Sequence, residues 1–421
     1  MEYEKFDMDN YSLYTLKTSR FKTISLRVNI RIKDDVMCDK YLPMLWRMLI
    51  NTSSKYDSIK EINRACAKVY DPYFGVKTIA SGSESIISLS ASFTNEKYTE
   101  KGMNEKSIKF LLPFLFEPKV IDGGFDNEIF EIQKAKLIDS YKSIKDYPRN
   151  YADAKLEELM ISRDYKVLSL DEVIEETSAL TNKELYEYYE KIMREGKLDI
   201  FVCGNINPLK IKKIFEYNVI FKGNRKGKID HIINQTTYNK DVNVVIEESN
   251  NVQSNLIVGC KALDITDFER NYVFILYSWI LGGGMNSLLH TEVREKNSLC
   301  YYIYTVRDIL RGVMKIVSGI NASDFDRVYE LIELQMKNIC DGNFSSEILE
   351  NVKNLYYNSL ISIEDYQSDM TSNFVGSVYI GSDDIDVRRK MMEKVTKEDV
   401  MRFAKKVHID TVFLLKGDNN E

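Results

Sequence analysis

The stretch Ser85-Ile-Ile-Ser-Leu-Ser-Ala-Ser-Phe93 alternates small polar and apolar side chains. A period of two predicts a strand with one buried face, because successive strand side chains point to opposite sides. Val328–Ile339 instead repeats apolar residues every three or four positions, which predicts an amphipathic helix. The run Ile108–Phe116 is apolar throughout and predicts a buried helix interrupted at Pro113, where the helical ladder loses an amide hydrogen. Tyr186, Tyr188 and Tyr189 fall on one amphipathic helix as packing residues. Tyr272–Leu281 predicts a further apolar helix. Three glycines follow, expected to free the backbone for a tight reversal. A helix from about Asn286 to Lys296 and a strand beginning near Tyr301 complete the segment.

The pattern occurs twice. Phe125, Glu128, Ile129, Glu131 and Lys134 recur as Phe344, Glu347, Ile348, Glu350 and Lys353, each displaced by 344 − 125 = 219. The register continues through Ser140 and Ser359, Ile144 and Ile363, Asp146 and Asp365, and Tyr147 and Tyr366. Downstream, Thr181-Asn-Lys-Glu184 and Thr396-Lys-Glu-Asp399 each place a threonine three residues before an acid, a helix-opening capping box in the first and its close relative in the second. Each predicted helix runs on into an apolar strand, 199–204 or 411–417. The chain therefore reads as two copies of one α+β domain, with antiparallel strands and helices in each. Domains are expected at 1–221 and 241–421, joined by a basic, glycine-containing linker at 222–240.

Composition narrows the function classes. With 58 Lys plus Arg against 64 Asp plus Glu, the net charge of −6 provides no basic excess for nucleic-acid binding. No apolar run is long enough to span a membrane, and the charged N-terminus lacks a signal-peptide core, so a cytoplasmic protein is expected. The six cysteines are scattered without a C-x-x-C pair, which suits reduced thiols. Only three histidines occur, His231, His290 and His408, and none has a second within four residues. No helix can therefore present a histidine pair to zinc. His290 is expected to be hydrogen-bonded or solvent-facing rather than a ligand.

The segment Leu281-Gly-Gly-Gly-Met-Asn-Ser-Leu-Leu-His-Thr-Glu-Val-Arg294-Glu-Lys-Asn-Ser-Leu-Cys-Tyr301 resembles the C-terminal-half signature of the pitrilysin, insulinase and mitochondrial processing peptidase family. These are zinc peptidases with an inverted H-x-x-E-H motif and paired homologous α+β domains. The resemblance implies that Arg294 and Tyr301, seven positions apart, hydrogen-bond a substrate beside the zinc. It also implies a metal motif on a helix of the first domain. There H-x-x-E-H falls on Pro43, Met44, Leu45, Trp46 and Arg47. Pro43 and Arg47 stand where the two histidines would be and Trp46 where the base would be. None can bind Zn²⁺, so the site is lost rather than varied. The third ligand and the glutamate that supports it fall on Ser140 and Gln133, with Asp139 adjacent.

An intact Arg/Tyr half and a dismantled zinc half match the degenerate bacterial branch of that family. The function this implies is a non-catalytic subunit of a heterodimeric zinc endopeptidase, donating Arg294 and Tyr301 to an H-x-x-E-H-bearing partner. No cofactor is expected in this chain. The substrate would be an extended peptide added to a sheet edge; Ser81–Phe93 is the strand considered for that edge, against an ordinary core strand. The alternative is a zinc-free peptide-binding or structural scaffold, as a homodimer. A stand-alone hydrolase is disfavoured by the lack of a G-x-S-x-G elbow, a Cys with a suitable His, or a Walker loop.

Overall fold

Residues 3–160, 167–219, 221 and 232–418 are described in a computed structural model. They divide into two compact units: 1–142 with 170–231 and 363–382, and 143–169 with 232–362 and 383–421.

The first unit is built on a six-stranded sheet. Its strands are β1 (Glu4–Asp7), β2 (Tyr11–Lys17), β3 (Thr23–Lys33), β4 (Tyr73–Ser81), β5 (Glu84–Thr94) and β8 (Lys197–Gly204), in the order β1-β2-β8-β3-β5-β4. A two-residue ribbon, β6 (Val120–Ile121) with β7 (Gly124–Phe125), lies apart from it. Pairing is antiparallel except between β2 and β8. Alternation sorts the side chains of β3 cleanly. Ile24, Leu26, Val28 and Ile30 enter the core with Leu13, Ile200 and the helix Val36–Asn51, while Arg27, Asn29 and Arg31 take the opposite face.

That second face is covered by the helix Gln367–Tyr379 from the other half of the sequence. Phe374 meets Phe201 edge-on at 5.3 Å, and Phe201 stacks on Tyr14 at 4.9 Å. Beside them Arg31 ion-pairs with Glu84 (2.9 Å) and Asp199 (3.0 Å) and lies 4.1 Å from the Tyr379 ring. Paired on two sides and stacked on a third, the buried guanidinium escapes the cost of an isolated charge.

The second unit carries β9 (Asn243–Glu248), β10 (Ser254–Ala262), β11 (Cys300–Asp308), β12 (Val313–Ile320) and β13 (Val407–Lys416), ordered β11-β12-β10-β13-β9. Only β13 and β9 run parallel. One face receives the helix Pro148–Met160 from the first half of the sequence. A Cβ at Gly259 would run into the Met160 sulfur, so the strand has glycine where that helix crosses it. The Tyr151 hydroxyl donates to Glu247 at 2.6 Å, Lys315 pairs with Asp153 at 2.7 Å, and Arg311 pairs with Glu157 at 3.0 Å.

The repeat is thus structural. The helices Asn127–Lys142 and Pro148–Met160 recur as Ser346–Ser362 and Gln367–Tyr379, and the helices opening after Thr181 and Thr396 both carry complete capping boxes. The units nevertheless do not follow the chain as 1–221 and 241–421 do, because each takes one helix from the opposite half. Of the linker at 222–240, residues 222–231 lie outside the described residues, and 232–240 form no helix or extended strand. The strand considered as an edge, Ser81–Phe93, is interior: β5 is hydrogen-bonded to β3 on one side and β4 on the other. The edge falls on β4 instead. Gly82, at φ 60, opens the two-residue loop that folds β4 back along β5.

Candidate functional site

The helix Val36–Asn51 opens on Asp35, whose carboxylate accepts from the amides of Met37 (2.9 Å) and Cys38 (3.2 Å). Tyr41, Leu42, Met44, Leu45, Met48 and Leu49 are buried, so the remaining face carries Asp39, Pro43, Trp46 and Arg47 at intermediate depth. Pro43 cannot donate to the Asp39 carbonyl, yet the helix continues through it. Arg47 Nη1 donates to the Pro43 carbonyl at 2.7 Å, and its guanidinium lies 4.4 Å from the Trp46 ring centre. The three residues at the motif positions are therefore bound to one another.

The helix Asn127–Lys142 packs alongside. Ser140 is exposed and donates to the Leu137 carbonyl of its own helix at 2.7 Å. Gln133 is buried and Asp139 exposed. The residue of this helix that acts on Arg47 is Tyr141, which sequence reasoning missed. The signal was present in the helical period Phe130, Gln133, Leu137, Tyr141, which keeps Tyr141 on the packed face. Burial pushes the Tyr141 hydroxyl up to about 12; Arg47 opposes that rise and Asp39 adds to it. Burial also pulls the Arg47 guanidinium below its usual value. A site holding a cation and a neutral phenol does not fit Zn²⁺. Among the described residues no group of three His, Cys, Asp or Glu side chains is placed to hold a metal.

In the second unit the glycines act by space. None of Gly282, Gly283 and Gly284 has positive φ, so the turn that follows, closed by Ser287 N donating to Gly284 O at 3.0 Å, is made without left-handed glycine. A Cβ on Gly282 would lie 2.7 Å from Thr305 Cγ2, and one on Gly283 only 2.5 Å from Trp279 Cα, while Gly284 faces open space. The chain re-enters a helix of π type over His290–Lys296, a local widening often found where function needs a side chain re-aimed. Leu289, His290 and Val293 are buried, and Arg294 is exposed. Arg294 Nη1 donates to His290 Nε2 at 3.3 Å, and among the described residues it forms no ion pair. His290 is accordingly a hydrogen-bonded histidine whose Nε2 bears the lone pair, since a guanidinium only donates.

The helix closes on Ser298 at φ 52, with Ser298 N donating to Arg294 O and Leu299 N to Val293 O, both at 3.0 Å. Two residues later β11 begins with a bulge: Cys300 faces Ile320 and Tyr302 faces Gly319, which leaves Tyr301 as the extra residue. A bulge redirects its unpaired residue, and Tyr301 is 62% exposed. Arg294 and Tyr301 thus flank one tight, hydrogen-bonded turn.

A family model described as "Peptidase M16 inactive domain" matches residues 179–356. "Probable inactive metalloprotease YmfF" of Bacillus subtilis is 23% identical over 412 residues, covering 96% of this chain and 95% of the relative. The chain is an M16 peptidase homologue. An inactive-domain model and a full-length relative described as inactive support a non-catalytic M16 homologue. "Uncharacterized zinc protease YmxG", also of B. subtilis, is 24% identical over 73% of each chain. A crystal structure of a conserved protein from Enterococcus faecalis shares the fold seen here at a TM-score of 0.91 and 21% identity, covering 100% of this chain and 99% of the other. A peptidase M16 inactive domain from Pseudomonas fluorescens superposes at 0.77 with 14% identity over 99% of both. Among the described residues no helix is long and apolar enough to cross a membrane.

Proposed function

We propose that this chain is the non-catalytic subunit of a heterodimeric zinc endopeptidase, completing the substrate chamber and presenting Arg294 and Tyr301 to peptide bound at a homologous, H-x-x-E-H-bearing partner. The observation that carries the reading is the outward presentation of both residues: Arg294 unpaired by any carboxylate among the described residues, and Tyr301 turned out by a bulge. A merely structural pair would be buried or neutralised within the unit. B. subtilis supplies a precedent in kind, with one relative described as inactive and another as a zinc protease. The substrate is an extended peptide, and β4, one edge of the six-stranded sheet, is the strand we assign to it. We place the assembly in the cytoplasm.

The test is co-purification with an H-x-x-E-H-bearing homologue from the same organism, followed by kinetics on an unfolded peptide. Arg294→Ala and Tyr301→Phe in this chain should each lower kcat by about 10²–10³, the usual effect of removing an oxyanion donor. Unchanged kcat in the mixed complex overturns the assignment. Absence of any gain in activity on mixing points instead to a zinc-free scaffold.

A further inference from the structure

The vanished metal site is a fixed cation rather than a patch of neutral packing. Arg47 is held on two sides, by the Pro43 carbonyl at 2.7 Å and the Trp46 ring at 4.4 Å, and among the described residues no carboxylate lies within ion-pairing distance of it. A guanidinium has five donors in a planar fork, and the Pro43 carbonyl takes one. Tyr141 acts on it from the neighbouring helix, and its hydroxyl, protonated at neutral pH as any phenol is, can donate. Lys40, two turns earlier on the same helix, is already paired with Glu176 at 2.8 Å.

We propose that Arg47 and Tyr141 form an oxyanion subsite that takes the C-terminal carboxylate of a peptide. The donor set decides between oxyanions. A planar fork matches a planar carboxylate in two parallel bonds. The net local charge is small, because the single charge of Arg47 is offset by Asp39, which lies on the same face two turns earlier and acts on Tyr141. That balance suits a monoanion and disfavours a phosphate dianion. The aromatic platform immobilises the fork beforehand, which reduces the entropy lost on binding. Where a metallopeptidase would polarise an internal amide, this chain would instead hold a peptide end. The proposal rests on the peptide-handling role given above, but it concerns this chain alone, so its test needs no partner.

The full chain is titrated calorimetrically with an acetylated random-sequence decapeptide as the free acid, with the same peptide as the C-terminal amide, and with inorganic phosphate. Trp46 emission in a Trp279→Phe background reports binding locally, since Trp46 and Trp279 are the two tryptophans of the chain. The free acid should bind about 10-fold or more tightly than the amide, the usual worth of a charge-assisted hydrogen bond, and shift Trp46 emission. Arg47→Gln should erase the preference with an unchanged circular dichroism spectrum, Arg47→Lys should keep part of it, and Tyr141→Phe should reduce it. Equal binding of acid and amide, no binding of either, or a preference that survives Arg47→Gln overturns the proposal. Phosphate saturating the Trp46 signal below the peptide-acid range does so too, and marks a general anion site. Loss of activity in the mixed complex without these binding changes would count against the subunit role alone.

Discussion

Among single residues, the glycine string makes the sharpest prediction. Gly283→Ala places a methyl 2.5 Å from the Trp279 backbone, which cannot withdraw as a flexible side chain would. It should cost about 1–3 kcal/mol in chemical denaturation, in the range of overpacked sites. Gly284→Ala, facing open space, should stay within about 0.5 kcal/mol. Glu157 tests the electrostatics. Burial alone would raise its carboxyl, but Arg311 and Lys315 hold it down to about 2. A depressed carboxylate stabilises the fold above its unfolded value of about 4.3, and that contribution is lost as pH falls through the interval toward 2. Glu157→Gln should therefore lower stability at pH 7 by on the order of 2 kcal/mol and flatten the dependence between pH 4.5 and 2. An unaltered slope in acid titration of the variant would refute the pairing.

Elements were more legible than their irregularities. The capping boxes after Thr181 and Thr396, the break at Pro113 and the alternation ending at Phe93 follow from local chemistry, and each appears in the structure as read. The bulge at Tyr301 and the π-type turn at Arg294 do not follow, because a bulge is defined by the register of what stands opposite, here Gly319 and Ile320 of β12, which lie outside the signature segment. Strand position failed for the same reason. Ser85–Phe93 reads as a half-buried strand wherever it lies in a sheet, and only pairing with both β3 and β4 makes it interior. Of the candidate site, the sequence names Pro43, Trp46 and Arg47 as the positions expected to carry the metal motif. Their bonding to one another, and Tyr141 beside them, required three dimensions. The two borrowed helices should matter equally to their hosts. Phe374→Ala and Leu156→Ala each empty a fully buried position and should cost about 2–5 kcal/mol, measured by denaturant midpoint.

For the whole molecule, the standing of the chain as a non-catalytic homologue predicts a stoichiometry. The purified chain should carry well under one zinc, and tight, chelator-sensitive zinc with peptidase activity from this chain alone would contradict its standing as a non-catalytic homologue. The reciprocal loan of helices bears on how such a chain can be cut. A fragment ending at residue 221 leaves Tyr14, Leu16, Phe201 and Cys203 uncovered, because Met370, Phe374 and Val375 lie beyond it. A fragment starting at 241 likewise loses Leu156 and Met160 from the helix that crosses Gly259. Each piece would expose a broad apolar sheet face and aggregate when made alone, yet the two should recover solubility when co-expressed. The gene would then behave as a pair of complementing fragments, whose halves became mutually dependent without any change in the fold that each copy repeats.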